Sequence, residues 1–155
     1  ALTSSGFPSS KFIFEGFLPK KKNERDKILL EISKNKKSTI LYESPHRLIK
    51  LLNELKEYCG GQREINISRE LTKKFEENIN NNIDTVIEFL DGKKILGEIT
   101  IVIKGFDNKK NENYIRSELR KELQDLINAG LSLSAASKYL AKKKNITKNR
   151  IYNLY

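Results

Sequence analysis

Hydrophobic and polar positions along this 155-residue chain follow two rhythms in turn. "KFIFEGF" (11–17) carries aromatic and β-branched side chains between Pro8 and Pro19, which predicts a strand. "ERDKILLEISK" (24–34) brings Ile28, Leu29 and Ile32 to one helical face. "STILY" (38–42) has the short apolar run of a buried strand. Pro45 then suits the first turn of a helix, with Ser44 as its N-cap. Leu48, Leu51, Leu52, Leu55 and Tyr58 follow at helical spacing, and Gly60–Gly61 stops the run. "EINIS" (64–68) predicts a third strand, "IDTVIEFLD" (83–91) a short helix and "GEITIVIKG" (97–105) a fourth strand. Strands alternating with helices imply an α/β fold, a mostly parallel or mixed sheet with flanking helices.

The rhythm breaks at "FDNKKNEN" (106–113), a polar stretch that reads as a linker. Beyond it, "YIRSELRKELQDLINAG" places Ile115, Leu119, Leu123, Leu126 and Ile127 on one side of a helix that Gly130 stops. "LSLSAASKYLAKKKN" follows, with Ser132 or Ser134 as N-cap, and "ITKNRIYNLY" closes the chain. The expected organisation is an α/β domain over 1–106, a linker over 107–113, and a small all-α, helix-turn-helix-like unit over 114–155.

Composition narrows the function. No apolar run approaches the roughly 18 residues needed to cross a bilayer, so no membrane association is expected and a cytoplasmic location is. Cys59 is the only cysteine and His46 the only histidine. That excludes an intramolecular disulfide and a cysteine-based zinc site, and no metal is expected. Methionine is absent and residue 1 is Ala, so the chain reads as a piece of a longer protein lacking an N-terminal part. Net charge is +10, but 23 lysines against 7 arginines, with 15 asparagines, show a lean that raises charge without selecting a partner. Its distribution says more. Residues 111–155 carry +5 in 45 positions, more than twice the density of residues 1–110. Lys138, Lys142, Lys143, Lys144, Lys148 and Arg150 are therefore candidates for phosphate contacts, with a solvated surface as the competing reading.

Two polar stretches start where buried strands stop: "ESPHR" after 38–42 and "RELTKKFEE" after 64–68. Ligands of open α/β sheets lie beyond the carboxyl ends of the strands. Helix capping by Ser44–Pro45 and solvated pairs among Arg69, Glu70, Lys73 and Glu77 would account for the same residues without any ligand.

The ordered set "SSGFPSSKFIFEGFLPKK", "TILYESPHRL", "ISRELTKKFEE" and "GEITIVIKG" resembles the carboxyl-terminal half of the tetrapyrrole methylase superfamily. More narrowly, it resembles the ribosomal RNA small subunit methyltransferase I family, which 2′-O-methylates a cytidine of 16S rRNA with S-adenosylmethionine. The resemblance covers residues 1 to about 105, and the basic tail is loosely similar to that family's carboxyl-terminal appendage. One departure stands out. After "KKFEE" the family usually has a glycine, where this chain has "NINNNIDT"; Asn tolerates left-handed backbone, so the turn is expected to survive.

The resemblance implies that the cofactor lies between an absent preceding domain and this one. Glu43 and Leu71 would contact it largely through backbone groups, with Ser44 and Arg69 nearby, and "ESPHR" would turn its carboxylate to the methyl donor. Transfer to a ribose hydroxyl needs alignment and help in removing a proton. Glu43, Glu70 and Glu76 are candidate bases, with Arg69 or Lys73 stabilising charge and His46 a further base by its pKa class. His46, Arg47 and Lys73 are also candidates for the RNA side. The implied partners are 16S rRNA in the small ribosomal subunit and a possible second copy. Two alternatives remain: a tetrapyrrole or other small-molecule methylase of the same fold, or a non-enzymatic RNA-binding module.

Overall fold

The computed structural model describes residues 1–108 and 115–155 in full and residues 109–114 by their backbone alone. Two compact units emerge, Ala1–Phe106 and Asp107–Tyr155. The first contains α1 (Leu2–Ser5), β1 (Phe12–Phe17), α2 (Lys22–Lys34), β2 (Ser38–Glu43), α3 (Pro45–Cys59), β3 (Glu64–Arg69), β4 (Glu77–Asn82), α4 (Ile83–Leu90) and β5 (Ile99–Ile103).

Its five strands form one mixed sheet in the order β1-β2-β5-β3-β4. β1 runs parallel to β2, while β5 is antiparallel to both β2 and β3, and β4 is antiparallel to β3. β2 and β3 therefore point the same way and end at one edge. They are not neighbours, however, because the last strand in the chain inserts between them.

Alternation sorts the side chains into two faces. Leu41, Ile65, Ile67, Ile99, Ile101 and Ile103 share one face and form a single core with Leu29 and Ile32 of α2, four leucines of α3, and Ile83, Val86 and Leu90 of α4. The three helices thus lie on that face. On the opposite face the N-terminal segment covers part of the sheet: Ser38 donates its hydroxyl to the Pro8 carbonyl at 2.8 Å, and Asn80 its amide to the Ser5 carbonyl at 2.7 Å. Phe7, Val102 and Asn66 are buried beneath it.

β4 corrects the expected turn. Asn78–Asn82 are extended and pair with β3, and the non-glycine residues with positive φ are Glu70, Thr72 and Asn145 instead. Asparagine has poor strand propensity. Here Ile79 packs against the core and the ladder with β3 satisfies the backbone, so pairing outweighs propensity. Asn82 then caps α4, accepting the Thr85 N–H at 2.8 Å.

The second unit comprises α5 (Asn108–Asn128), α6 (Leu133–Lys144) and α7 (Lys148–Tyr152). Its core is Leu123, Ala136, Leu140 and Ile151, with Leu126, Ile127 and Leu133 packed around. Ile115, expected on the apolar face, is exposed. Ser132 is the N-cap of α6, its hydroxyl accepting the Ala135 N–H at 3.3 Å. The linker expected over 107–113 is instead helical in its backbone from Asn108. That stretch has no Gly or Pro, and Lys and Glu are good helix formers, so polarity alone misled. The side chains of 109–114 fall outside the described residues.

Candidate active site at the strand tips

The edge where β2 and β3 end has a defined register. Glu43 and Arg69 both pair with Ile99, one on each side, so the two tips stand about 10 Å apart across β5. Both side chains share the parity of Ile99 and lie on the helix-covered face.

That parity decides what Glu43 does. Its carboxylate is 3% exposed and turns under the start of α3. Oε1 accepts the Ser44 N–H at 2.8 Å and the Arg47 Nε–H at 2.9 Å, with Arg47 Nη2 at 2.8 Å. The Arg25 guanidinium stands 3.8 Å from Oε2 and is itself held by Glu54 at 2.6 Å and the Pro19 carbonyl at 3.4 Å. The expectation of a Glu43 carboxylate facing a ligand is corrected: it knits the β2–α3 junction to α2, and its oxygens are not presented to solvent. Ser44 occupies the N-cap position, but its hydroxyl makes no cap bond; it meets Arg47 Nε at 3.2 Å and Glu43 at 3.4 Å. Arg47 is half-buried in this cluster, its guanidinium paired with Glu43. His46 is exposed and has no hydrogen bond or ion pair among the described residues.

Arg25 and Glu54 did not figure among the expected site residues. A signal existed: Arg25 precedes Leu29 by four positions and Ile32 by seven, a charge on the apolar stripe of α2 that burial without a carboxylate would make costly.

The loop after β3 is held by its own charges. Glu70 and Thr72 have left-handed backbone, φ 50° and 67°. Such conformations cost on the order of 1–3 kcal/mol and persist where the surroundings impose them. The surroundings are explicit. Glu70 N–H donates to the Glu98 carbonyl at 2.9 Å, and the Glu98 N–H donates to the Glu70 carboxylate at 2.7 Å. Lys73 bridges Glu98 at 2.9 Å and Glu70 at 3.3 Å. Glu76 accepts the Thr72 N–H at 2.7 Å and the Asn78 amide at 3.1 Å, and Arg69 pairs with Glu77 at 3.0 Å. Glu70, through Oε1, and Glu76, through both oxygens, are thus tied into the loop, without the burial of Glu43. Between the two left-handed residues, the backbone N–H and C=O of Leu71 have no partner among the described residues.

The Glu98 N–H and the Lys73 ammonium hold the Glu70 carboxyl below the usual carboxylate range. The carboxylates of Glu98 and Glu70 raise Lys73 above the usual lysine range. The depressed Glu70 steadies the loop at pH above its unfolded value and loses that contribution as pH falls through the folded one. The raised Lys73 contributes below its unfolded value and loses that contribution as pH rises through the folded one. The loop should therefore be tight from about pH 5 to about pH 10. The Glu98 amide proton is expected to titrate in NMR with a midpoint below about 4.3, the free glutamate value; a midpoint at or above it would remove the Glu70–Glu98 pairing.

Beside the β3 tip opens a cavity of about 170 Å³, lined by Arg69, Glu77, Lys93, Leu96 and Ile99 among others. Ligand sites usually enclose about 300–1,000 Å³, so this indentation is smaller than a complete small-molecule site.

Over 154 residues, 99% of this chain, the sequence is 34% identical to the ribosomal RNA small subunit methyltransferase I of Synechocystis sp. and covers 55% of that protein. The Bacillus subtilis protein of the same name is 36% identical over 159 residues, with 100% of this chain and 54% of that one covered. The chain belongs to this family. It spans about half the length of the curated relatives it matches. No protein-family model matches it. Among solved structures, the methyltransferase CobJ superposes with a TM-score of 0.51 at 16% identity, over 68% of this chain and 46% of that one. That likeness shows the fold, a mixed α/β sheet with flanking helices of the class expected.

The family assignment covers the second unit as well, where the resemblance read from the sequence was loosest. There Lys143 and Lys144 both reach Glu122, the first at 3.3 Å, which holds the Glu122 carboxyl below its usual range. Lys148 donates to the Ser134 hydroxyl at 2.8 Å. Lys138, Lys142 and Arg150 are exposed and carry no ion pair among the described residues. No helix in the described residues is long and apolar enough to cross a membrane.

Proposed function

We propose that this chain is the carboxyl-terminal part of an S-adenosylmethionine-dependent methyltransferase acting on a cytidine 2′-hydroxyl of 16S rRNA in the small ribosomal subunit. The observation that carries the reading is Leu71: a half-buried residue whose backbone N–H and C=O have no partner among the described residues, held between two strained residues at a strand tip. Strain maintained by surrounding hydrogen bonds around an unused donor and acceptor is what a preorganised ligand contact requires. The backbone at the Glu43 tip, Ser44 and the Arg69 side of the cavity would complete the wall.

When bound there, the cofactor supplies an electrophilic methyl group on sulfur. The residues of this half hold and orient it. Glu43 is buried against its internal partners, so it does not take the hydroxyl proton; Glu70 and Glu76 stay accessible beside the loop. Glu43 is a positioning residue for the β2–α3 junction, acting with Arg25 and Arg47, and Glu70 with Lys73 sets the loop that presents Leu71. In the second unit, Lys138, Lys142 and Arg150 are the free phosphate contacts; Lys143, Lys144 and Lys148 serve only where they leave Glu122 and Ser134. A chain of net charge +10 with such a unit suits RNA better than a small acidic macrocycle.

The full-length protein should transfer labelled methyl from S-adenosylmethionine to small ribosomal subunits, and Arg69→Ala should lower that rate at least tenfold through weaker cofactor binding. Failure of the full-length protein to label any ribosomal RNA would sink the reading. Deleting residues 107–155 should weaken RNA binding and reduce the salt slope by about 2–3, from the roughly 0.7–0.9 each phosphate contact contributes. An unaltered slope would mean that this unit makes no phosphate contact.

A further inference from the structure

The sheet face opposite the helices is sealed only in part. Where the N-terminal segment stops covering it, towards the strand tips, three rings stand open: Phe14 is 55% exposed, Phe17 61% and Tyr42 40%. They form one cluster. Phe14 meets Tyr42 edge-on with centroids 5.2 Å apart, and Phe17 leans on Tyr42 at 5.6 Å. Soluble chains rarely leave contiguous aromatic surface bare without a partner.

The register places this cluster. Phe17 pairs with Tyr42, Tyr42 with Thr100 and Thr100 with Ser68, one row across the face opposite the helices, open at Phe17 and Tyr42 and buried at Ser68. Tyr42 immediately precedes the tip residue Glu43, and Thr100 follows Ile99, on which both tips register. The row is thus one residue, about 3.3 Å, below the edge where the cofactor wall is proposed. Thr100 is half-buried beside Tyr42, and its hydroxyl has no partner among the described residues.

We infer that Phe14, Phe17 and Tyr42 form a stacking platform for unpaired bases of the RNA substrate, with the Thr100 hydroxyl reading a base edge. The inference rests on the proposed function for its placement, and on three local features for its partner. First, the three rings expose 40–61% of their surface in one cluster, and base–aromatic stacking is a recurrent means of holding single-stranded nucleic acid. Second, Lys11, Lys20 and Lys22 flank β1 at both ends, exposed and without an ion pair among the described residues, against the single carboxylate Glu15 within the strand. That sign of charge suits a polyanion. Third, the same features disfavour a second copy. Apposing two such faces brings lysines together, and the β1 edge is interrupted by a bulge between Phe14 and Gly16, where φ is +62°. Bulged, lysine-flanked edges resist strand addition.

The full 155-residue chain is titrated with oligocytidylate and with an abasic oligonucleotide of the same length and charge. Oligocytidylate is expected to bind at least fivefold more tightly, within the range one stacked base supplies. Phe17→Ala and Tyr42→Ala should abolish that preference while leaving abasic affinity and its salt slope unchanged. Phe17→Leu, which keeps apolar area without a π-face, should fail like Phe17→Ala. Thermal unfolding of each variant monitors integrity, and these exposed positions should leave it within a few degrees. Equal affinity for both oligonucleotides would overturn the platform, as would a preference that survives Tyr42→Ala or Phe17→Leu. A dimer that dissociates in sedimentation on Phe17→Ala would assign the face to a second copy instead. The readout is binding, so absent methyl transfer by the full-length protein would count against the proposed function and leave this test standing.

Discussion

Replacing Glu43 by alanine is expected to lower the unfolding free energy of the sheet unit by about 3 kcal/mol. The carboxylate is buried between two guanidinium groups and accepts a backbone N–H as well. Removing one partner of a buried pair leaves the others desolvated and unmatched, and that penalty dominates. The half-exposed Arg47 recovers some hydration, which keeps the loss at the lower end of the usual range; Arg25, 11% exposed and held by Glu54, recovers little. For a unit of this size the loss corresponds to a fall in Tm on the order of 15 °C. Glu43→Gln, retaining an acceptor without the charge, should cost about half as much. Urea unfolding followed at the sheet transition measures both, and a loss below about 1 kcal/mol for Glu43→Ala would show that the arginines rely on other partners.

Gly97→Ala should be nearly as severe for a different reason. Gly97 has φ +95°, where an L side chain is strained, and an added Cβ would fall on the Glu70 carboxylate. Glu70 would have to leave the Glu98 N–H and the Lys73 ammonium, and the loop that presents Leu71 would lose its anchor. Backbone strain at this φ costs on the order of 1–3 kcal/mol, and the charge-assisted bond is lost with it. Methyl transfer by the full-length protein should fall at least tenfold. Gly92→Ala is the control: φ is +67° but open space surrounds the site, so only backbone strain of about 1 kcal/mol applies. If the two variants proved equally stable, the Glu70–Glu98 clasp would contribute nothing.

Both variants act through contacts among residues distant in sequence, and that separation divides what could be read from the chain. Strands at 11–17, 38–42, 64–68 and 97–105 and the helices between them were legible because apolar spacing records which side of an element is buried. The four ordered motifs pointed to the family. β4 was illegible: five of its six residues are Asn or Glu, and only Ile79 carries an inward apolar mark. Strand status there comes from a partner 8–18 positions earlier in the chain, a relation no local pattern encodes.

Local composition and periodicity placed four of the five strands, the helices between them, the two polar stretches at strand ends and the basic character of the last 45 residues. Pairing across the sheet settled the rest: β5 enters between the two tips, the parity of β2 buries Glu43 against Arg25 and Arg47, and the rings of β1 and β2 stay bare. The physical reason is that a side chain's direction depends on strand register, and register is settled by which strands pair across the sheet.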